Sequence, residues 1–160
     1  MCIGLYDEKE WLEYKRDYYV EELSDCQKEL KFYNENIPIL ITDVEVGVTD
    51  QDRNIIVAHG SKIYSKDTQY LSPKVTINVF DTGFQLIKVK FYKKGVLRDM
   101  ENKGYSYQFE YETETAGMMR QEIWTGWGSA SPGHWGPGKY RFEFWIENYC
   151  IGSKDFEVFE

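Results

Sequence analysis

Hydrophobic and polar residues follow one period before Pro38 and another after it. Residues 7–36 contain no Gly or Pro and are rich in Glu, Lys, Leu and Tyr. Six residues in this segment, which we call the seam, recur at steps of seven, four and three: Leu12, Tyr19, Leu23, Cys26, Leu30 and Tyr33. The spacing predicts one long helix, with Asp7 as its N-cap and Pro38 just beyond its end.

The predicted helix needs a partner surface. A second group of aromatic residues widens its apolar face near the start: Trp11, Tyr14 and Tyr18. A single helix cannot bury such a face by itself, so the sequence predicts a protein partner. The helix either docks on the rest of the same chain or pairs with a second copy or another protein's helix. Roughly three heptads is near the lower limit for predicting a coiled coil, so both arrangements stay open.

After Pro38 the pattern changes to strict alternation. Tyr140, Phe142, Phe144 and Ile146 fall on one side of a predicted strand, and Arg141, Glu143 and Glu147 fall on the other. Successive side chains of a strand point to opposite faces, so this is a half-buried strand with an aromatic core face. Nearer the start, the parity of the apolar residues changes at Thr42–Asp43, which predicts either a β-bulge or a strand that changes sheets there.

A second alternating stretch is interrupted by Asp81-Thr82-Gly83. Apolar residues alternate with polar ones on both sides of this turn: Val75, Ile77 and Val79 before it, Ile87, Val89 and Phe91 after it. The pattern predicts a β-hairpin. Four lysines lie along this predicted hairpin, within and just after its second strand: Lys88, Lys90, Lys93 and Lys94. We interpret them as charges that protect a sheet edge, with a basic patch for an acidic partner as the alternative.

The whole pattern defines a fold class. About seven or eight short strands are separated by turn signals, without the helical crossovers that a parallel sheet requires. The sequence therefore predicts a mainly β protein: an immunoglobulin-like antiparallel β-sandwich of seven to eight strands with one long N-terminal α-helix. The expected division places the helix in residues 1–36 and the sandwich in residues 37–160.

Composition excludes several classes of protein. The net charge of −8 argues against nucleic-acid binding, which depends on clustered Lys and Arg, and against anionic membrane surfaces. No stretch reaches the roughly 20 apolar residues of a membrane span, and the N-terminus lacks a secretory apolar segment, so we expect a cytoplasmic protein. Cys2, Cys26 and Cys150 follow no disulfide or zinc spacing, and we expect neither a metal nor a cofactor.

Residues 126–138 form a predicted Gly/Ser/Pro loop that carries three candidate binding residues, Trp127, His134 and Trp135. Exposed aromatic side chains in such a loop suit stacking on a sugar ring or anchoring a protein partner. The alternative is that Trp127 folds back to close the end of the sandwich, because large aromatic residues are mostly buried. Of the two tryptophans, we expect Trp135 to be the more exposed.

Catalytic residues are not recognisable in the chain. Cys150 could meet either His134 with Asp81, or His59, in space, but no local motif supports these sets. The acidic residues Glu110, Glu112, Glu114 and Glu122 are better explained as a solvated sheet face. We therefore predict that the protein is not an enzyme.

Three segments resemble a known type of domain. They are residues 64–74 (YSKDTQYLSPK), residues 126–128 (GWG), and residues 138–145 (GKYRFEFW) followed by 152–156 (GSKDF). Together they are similar to a C-terminal immunoglobulin-like module that recurs in uncharacterised bacterial proteins. The resemblance covers roughly residues 39–159 and implies an accessory or interaction domain without catalytic residues. His134-Trp135 departs from it, since small polar residues would be expected there.

The sequence thus favours a non-catalytic protein–protein interaction or accessory module whose partner is unknown. One alternative is a carbohydrate- or peptide-binding module that uses the Trp-rich loop. Another is a small acidic inhibitor or immunity-type protein that blocks a basic site on an enzyme, since the chain carries a net charge of −8.

Overall fold

The described part of the protein is mainly β, with one α-helix and two sheets. The structure is a computed structural model that describes residues 8–114, 116–117 and 119–160, without the side chains of helix residues 8–10, 29, 30, 32–34 and 36. The elements, in chain order, are α1 (Glu8–Asn36), β1 (Ile39–Thr49), β2 (Ile55–Val57), β3 (Ile63–Tyr64), β4 (Tyr70–Val79), β5 (Gly83–Lys93), β6 (Val96–Leu97), β7 (Tyr107–Thr113), β8 (Met119–Ile123), β9 (Trp127–Gly128), β10 (Gly138–Ile146) and β11 (Tyr149–Phe159).

The chain divides into two compact units, Met1–Asn36 and Ile37–Glu160. The helix of the first unit ends two residues before Pro38, as the sequence predicts. Its expected N-cap, Asp7, and the first cysteine, Cys2, lie outside the described residues. Among the residues described, no helix is long and apolar enough to cross a membrane.

The second unit, which we call the β-domain, contains two sheets. In the first sheet the order is β2-β1-β4-β8, and β9 also pairs with β4. In the second the order is β3-β11-β10-β5-β6, and β7 also pairs with β5. All pairs are antiparallel except the short parallel pair of β3 with β11. Seven of the eleven strands in the described residues have five residues or more.

The core lies between the two sheets and is aromatic on one side. Phe142 and Phe144 of β10 are fully buried, as is Phe91 of β5 beside them. Trp124, which follows β8 of the first sheet, meets the ring of Phe144 with 5.4 Å between centroids. The alternation of β10 therefore buries the predicted face, an arrangement consistent with a β-sandwich.

Of the two arrangements predicted at Thr42–Asp43, the structure has the bulge, and β1 stays within one sheet. The pairing of β1 with β4 shifts register between Ile41 and Asp43. The extra residue returns Val44, Val46 and Val48 to the core face already occupied by Ile39 and Ile41. A change of parity in the sequence thus marks one inserted residue within a continuous strand.

The predicted hairpin around residues 81–83 is wrong. The strand before the turn, β4, belongs to the first sheet, and the strand after it, β5, belongs to the second. The turn therefore crosses from one sheet to the other. Alternation shows which face of a strand is buried, but it carries no information about which strand lies beside it.

The interpretation of the lysines as edge protection is also wrong for Lys88 and Lys90. Their strand, β5, lies between β10 and β7, so it is an interior strand. The two ammonium groups instead lie over aromatic rings on the outer face, at 4.1 Å from the centroid of Trp145 for Lys90 and 5.5 Å from that of Tyr105 for Lys88. These cation–π contacts cover ring faces that would otherwise meet water.

Candidate functional site

A groove opens where the start of β7 faces the segment before and within β9. Its volume is about 530 Å³. Four aromatic residues line it: Tyr70, Tyr105, Tyr107 and Trp127. The remaining lining residues are polar or flexible: Asp99, Met100, Glu101, Lys103, Ser106, Gln108, Thr125, Gly126 and Gly128. Aromatic walls with a few polar groups are typical of a binding site for a small molecule or peptide. We call this feature the Trp127 groove.

Trp127 is held in the groove wall by rings of the core. Its indole stacks on Phe91 at 6.3 Å and meets Tyr107 edge-on at 5.4 Å. The glycines on either side make this approach possible. A Cβ atom on Gly126 would lie 2.5 Å from the carbonyl oxygen of Leu71, and one on Gly128 would lie 1.9 Å from that of Gln69. Trp127 is half-buried, so it packs on these rings while still lining the groove.

Trp135 is more buried than Trp127, so the expectation that it is the more exposed of the two is wrong. Only 5% of its surface is exposed. Its indole N–H donates to the carbonyl oxygen of Trp127 at 3.2 Å, and its backbone N–H donates to the hydroxyl of Thr68 at 2.9 Å. Thr68 is itself fully buried, so the loop is fixed to a residue far away in the sequence. A buried indole offers no ring face to a sugar or peptide.

His134 is exposed beside Trp135, and the two rings meet edge-on at 4.7 Å. Its backbone N–H donates to the carbonyl oxygen of Thr68 at 3.2 Å. The loop thus follows the chain around Thr68 through main-chain bonds. Of the three predicted binding residues, only Trp127 lines the groove.

The floor and the rim of the groove involve residues that the sequence analysis did not single out. The phenol of Tyr107 donates to the carbonyl oxygen of Thr125 at 2.6 Å, and burial raises the pKa of Tyr107. On the rim, the carboxylate of Asp99 accepts backbone N–H groups of Lys103 and Gly104. This turn leaves the side chain of Met100 87% exposed. The sequence signal for it was an Asp followed by Asn102 and Gly104, which is turn chemistry rather than a binding motif.

The seam of α1 presents a second candidate surface. Leu12 is 60% exposed, Tyr19 55% and Leu23 63%, and Cys26 is exposed as well. The remaining seam residues, Leu30 and Tyr33, lie outside the described side chains. On the adjoining stripe, Trp11 stacks on Tyr14 at 6.1 Å, and both rings are about half exposed or more. These described apolar side chains are therefore not covered within their own unit.

The imagined catalytic sets are not brought together by any hydrogen bond in the described residues. The ring Nε2 of His59 lies 3.1 Å from the hydroxyl of Ser72, next to the first sheet. The thiol of Cys150 lies in the second sheet and donates to the carbonyl oxygen of Gly152 at 3.4 Å. Cys150 is exposed as a residue, but partial burial of its thiol raises the pKa of Cys150 and so lowers the thiolate fraction.

Within the described part of the chain, no group of three or more His, Cys, Asp or Glu residues is placed to hold a metal ion. The two candidate surfaces are therefore the Trp127 groove of the β-domain and the seam of α1.

No protein-family model matches the chain, and no curated protein matches it significantly. The resemblance to an immunoglobulin-like module therefore stays a prediction.

Proposed function

We propose that this chain is a non-catalytic protein–protein interaction module that self-associates through the seam of α1. The observation that carries the proposal is the exposure of Leu12, Tyr19 and Leu23 along one face of the helix. Full burial of a leucine side chain contributes roughly 1.5–3 kcal/mol, from which the entropic cost of association is subtracted. A helix with this face open gains from any surface that covers it.

A second copy of the same helix fits the seam better than a flat surface. The seam steps by sevens, fours and threes, which is the spacing that brings the same residues of two helices into one contact line. On the side of the helix away from the seam, charged residues form exposed ion pairs, such as Lys28 with Asp25 at 2.9 Å. This side is suited to remain in water when the seam is covered. We interpret the β-domain as an immunoglobulin-like accessory domain carried by this helix, and a cytoplasmic location remains a prediction.

Alkylation of the two described cysteines tests whether the seam is covered by a second copy. The result does not depend on whether the two helices are parallel or antiparallel. Cys26 is a seam residue, Cys150 lies in the β-domain, and both are exposed. In a Cys2→Ser chain, we expect the rate of maleimide labelling of Cys26 to fall several-fold as protein concentration rises. The rate for Cys150 should stay constant and serves as the internal control.

A pair of helix variants completes this experiment. Leu23→Asp places a charge in the seam and should abolish the protection of Cys26 at high concentration. Ser24→Asp adds the same charge on the opposite side of the helix and should leave the protection intact. Labelling of Cys26 that does not depend on concentration in the parent chain would remove self-association through the seam.

The Trp127 groove favours a second function, binding of a peptide or a carbohydrate. Its four aromatic walls and its volume of about 530 Å³ support this proposal. Titration of the chain with a panel of soluble glycans and peptides, followed by calorimetry, tests it. We expect a saturable signal that Met100→Ser at the rim weakens; absence of a signal across the panel would contradict it.

A further inference from the structure

The outer edge of strand β7 is one of the longer edges of the β-domain that pair with no strand in the described part of the chain. Strand β7 pairs with β5 on one side, and on its other side it pairs with no strand among the described residues. It has seven residues, whereas the outer strands β2 and β3 at the opposite ends of the sheets have three and two. At about 3.3 Å per residue, the open edge is about 23 Å long.

The open edge leads into the Trp127 groove. Strand β7 begins at Tyr107, and Ser106, Tyr107 and Gln108 all line the groove. The outer strand of the first sheet, β8, lies on the same side of the domain. The phenol of Tyr111 in β7 donates to Glu122 in β8 at 2.7 Å. Edge and groove together therefore make one elongated surface on one side of the domain.

The acidic side chains of β7 restrict which strands can pair with its open edge. The outward side chains of β7 are Gln108, Glu110 and Glu112, all exposed. Their neighbours on β5 are apolar and exposed: Leu86 opposite Glu110 is 42% exposed, and Phe84 opposite Glu112 is 71% exposed. A second copy pairing edge to edge would bring acidic rows together, which is destabilising. A strand with basic side chains on the same face would form opposite-charge pairs instead.

We propose that β7 and the Trp127 groove together bind an extended peptide with basic side chains at alternate positions and an apolar side chain at the groove end. The inference rests on the second proposed function and deepens it, because it assigns a peptide rather than a sugar. Backbone hydrogen bonds to β7 provide the affinity, and pairs with Glu110 and Glu112 provide the specificity. The groove receives the apolar side chain beside Trp127.

Synthetic peptides test the proposal on the full chain. The probe is a fluorescein-labelled peptide of alternating lysine and valine with phenylalanine at both ends, and binding is followed by fluorescence anisotropy. We expect it to bind at least tenfold more tightly than the same peptide with glutamate in place of lysine. Equal binding of the two peptides, or no saturable binding by either, would overturn the proposal.

Methylation of the peptide backbone tests strand addition itself. In an added strand, the N–H groups of alternate residues point towards the acceptor edge, and the others point away. Peptides N-methylated on all lysines or on all valines should therefore differ at least tenfold in affinity. If the two methylated peptides bind equally, the peptide does not pair with β7.

Protein variants locate the site. Glu110→Lys combined with Glu112→Lys should reverse the preference towards the glutamate peptide, and both residues are exposed, so the fold should tolerate the change. Asp52→Lys with Glu157→Lys changes the net charge equally elsewhere on the domain and should leave the preference unchanged. An unchanged preference in the first double variant would contradict the assignment to this edge.

The same experiments distinguish failure of strand addition at β7 from failure of peptide binding in the Trp127 groove. If Met100→Ser weakens binding while backbone methylation and charge reversal have no effect, the groove binds peptides and the strand-addition proposal fails. Leu23→Asp in the seam should not alter peptide affinity. Self-association through α1 is therefore judged independently.

Discussion

The helix and the β-domain are both rich in aromatic residues, but they treat them in opposite ways. In the β-domain, Phe91, Phe142 and Phe144 are fully buried between the sheets. In α1, Tyr14 is 65% exposed and Tyr19 is 55% exposed. In the β-domain the two sheets cover each other's apolar faces, whereas the described apolar side chains of α1 are not covered within their own unit.

This difference separates what holds the fold together from what is available for recognition. A buried ring contributes to stability and cannot bind a partner. Truncating an exposed ring leaves the free energy of unfolding almost unchanged, and a partner can cover such a ring. The β-domain accordingly supplies its own stability. The seam of α1 and the open side near Trp127 are the places where apolar surface is left over.

The largest expected effect comes from truncating a ring in the core. Phe142→Ala should lower the free energy of unfolding by about 3–5 kcal/mol, because Phe142 is fully buried among other rings. Urea denaturation measures the change. Tyr14→Ala in the helix is the matched control and should cost less than about 0.5 kcal/mol in a dilute solution. Equal losses in the two variants would erase the contrast between the two regions.

The next effect concerns the close approach beside Trp127. Gly128→Ala places a Cβ atom against the carbonyl oxygen of Gln69, and neither backbone can move without breaking the pairing of β9 with β4. We expect a loss of about 1–3 kcal/mol. Gly136→Ala is the control, since its Cβ would meet only the flexible ammonium end of Lys93 at 3.7 Å. Similar melting curves for the two variants would contradict the account of the groove wall.

Two buried tryptophans provide a smaller and more selective test. The indole N–H of Trp135 donates to Trp127, whereas that of Trp124 is buried without a hydrogen-bond partner in the described residues. Replacement by phenylalanine removes a hydrogen-bonded N–H donor at Trp135 and an unsatisfied N–H donor at Trp124. We therefore expect Trp135→Phe to be the more destabilising by about 1–2 kcal/mol in chemical denaturation. The reverse order would show that the hydrogen bonding of these indoles does not control their contribution.

The smallest effect is the pH dependence due to His59. Burial, followed by the charge of Lys74, lowers the pKa of His59 below its ordinary value of 6.5. The unfolded chain therefore takes up a proton first as the pH falls through 6.5, and stability is lost from there down to the folded-state pKa. Between pH 7.5 and pH 5.5 the parent should lose more stability than His59→Gln. The variant keeps every other titrating group, so the difference between the two proteins reports on His59 alone. Parallel pH profiles would exclude this linkage.

The sequence predicted correctly the features that depend on neighbouring residues. The predictions failed for features that depend on contacts between residues far apart in the chain. The parity change near Thr42 located the bulge in β1, because the face of a strand is a local property. The partner of β5 is not local, and the expected hairpin with β4 was wrong. The burial of Trp135 depends on Thr68, which lies 67 residues earlier in the chain. No pattern within residues 126–138 contains that information.

The most direct test of the central claim is the mass of the protein in solution. The chain has a mass of 19.0 kDa, and light scattering over a range of concentrations measures the mass of the species it forms. We predict that the parent approaches twice the chain mass at high concentration, and that Leu23→Asp stays at the mass of one chain. A parent that remains at the mass of one chain at every concentration would contradict self-association through α1.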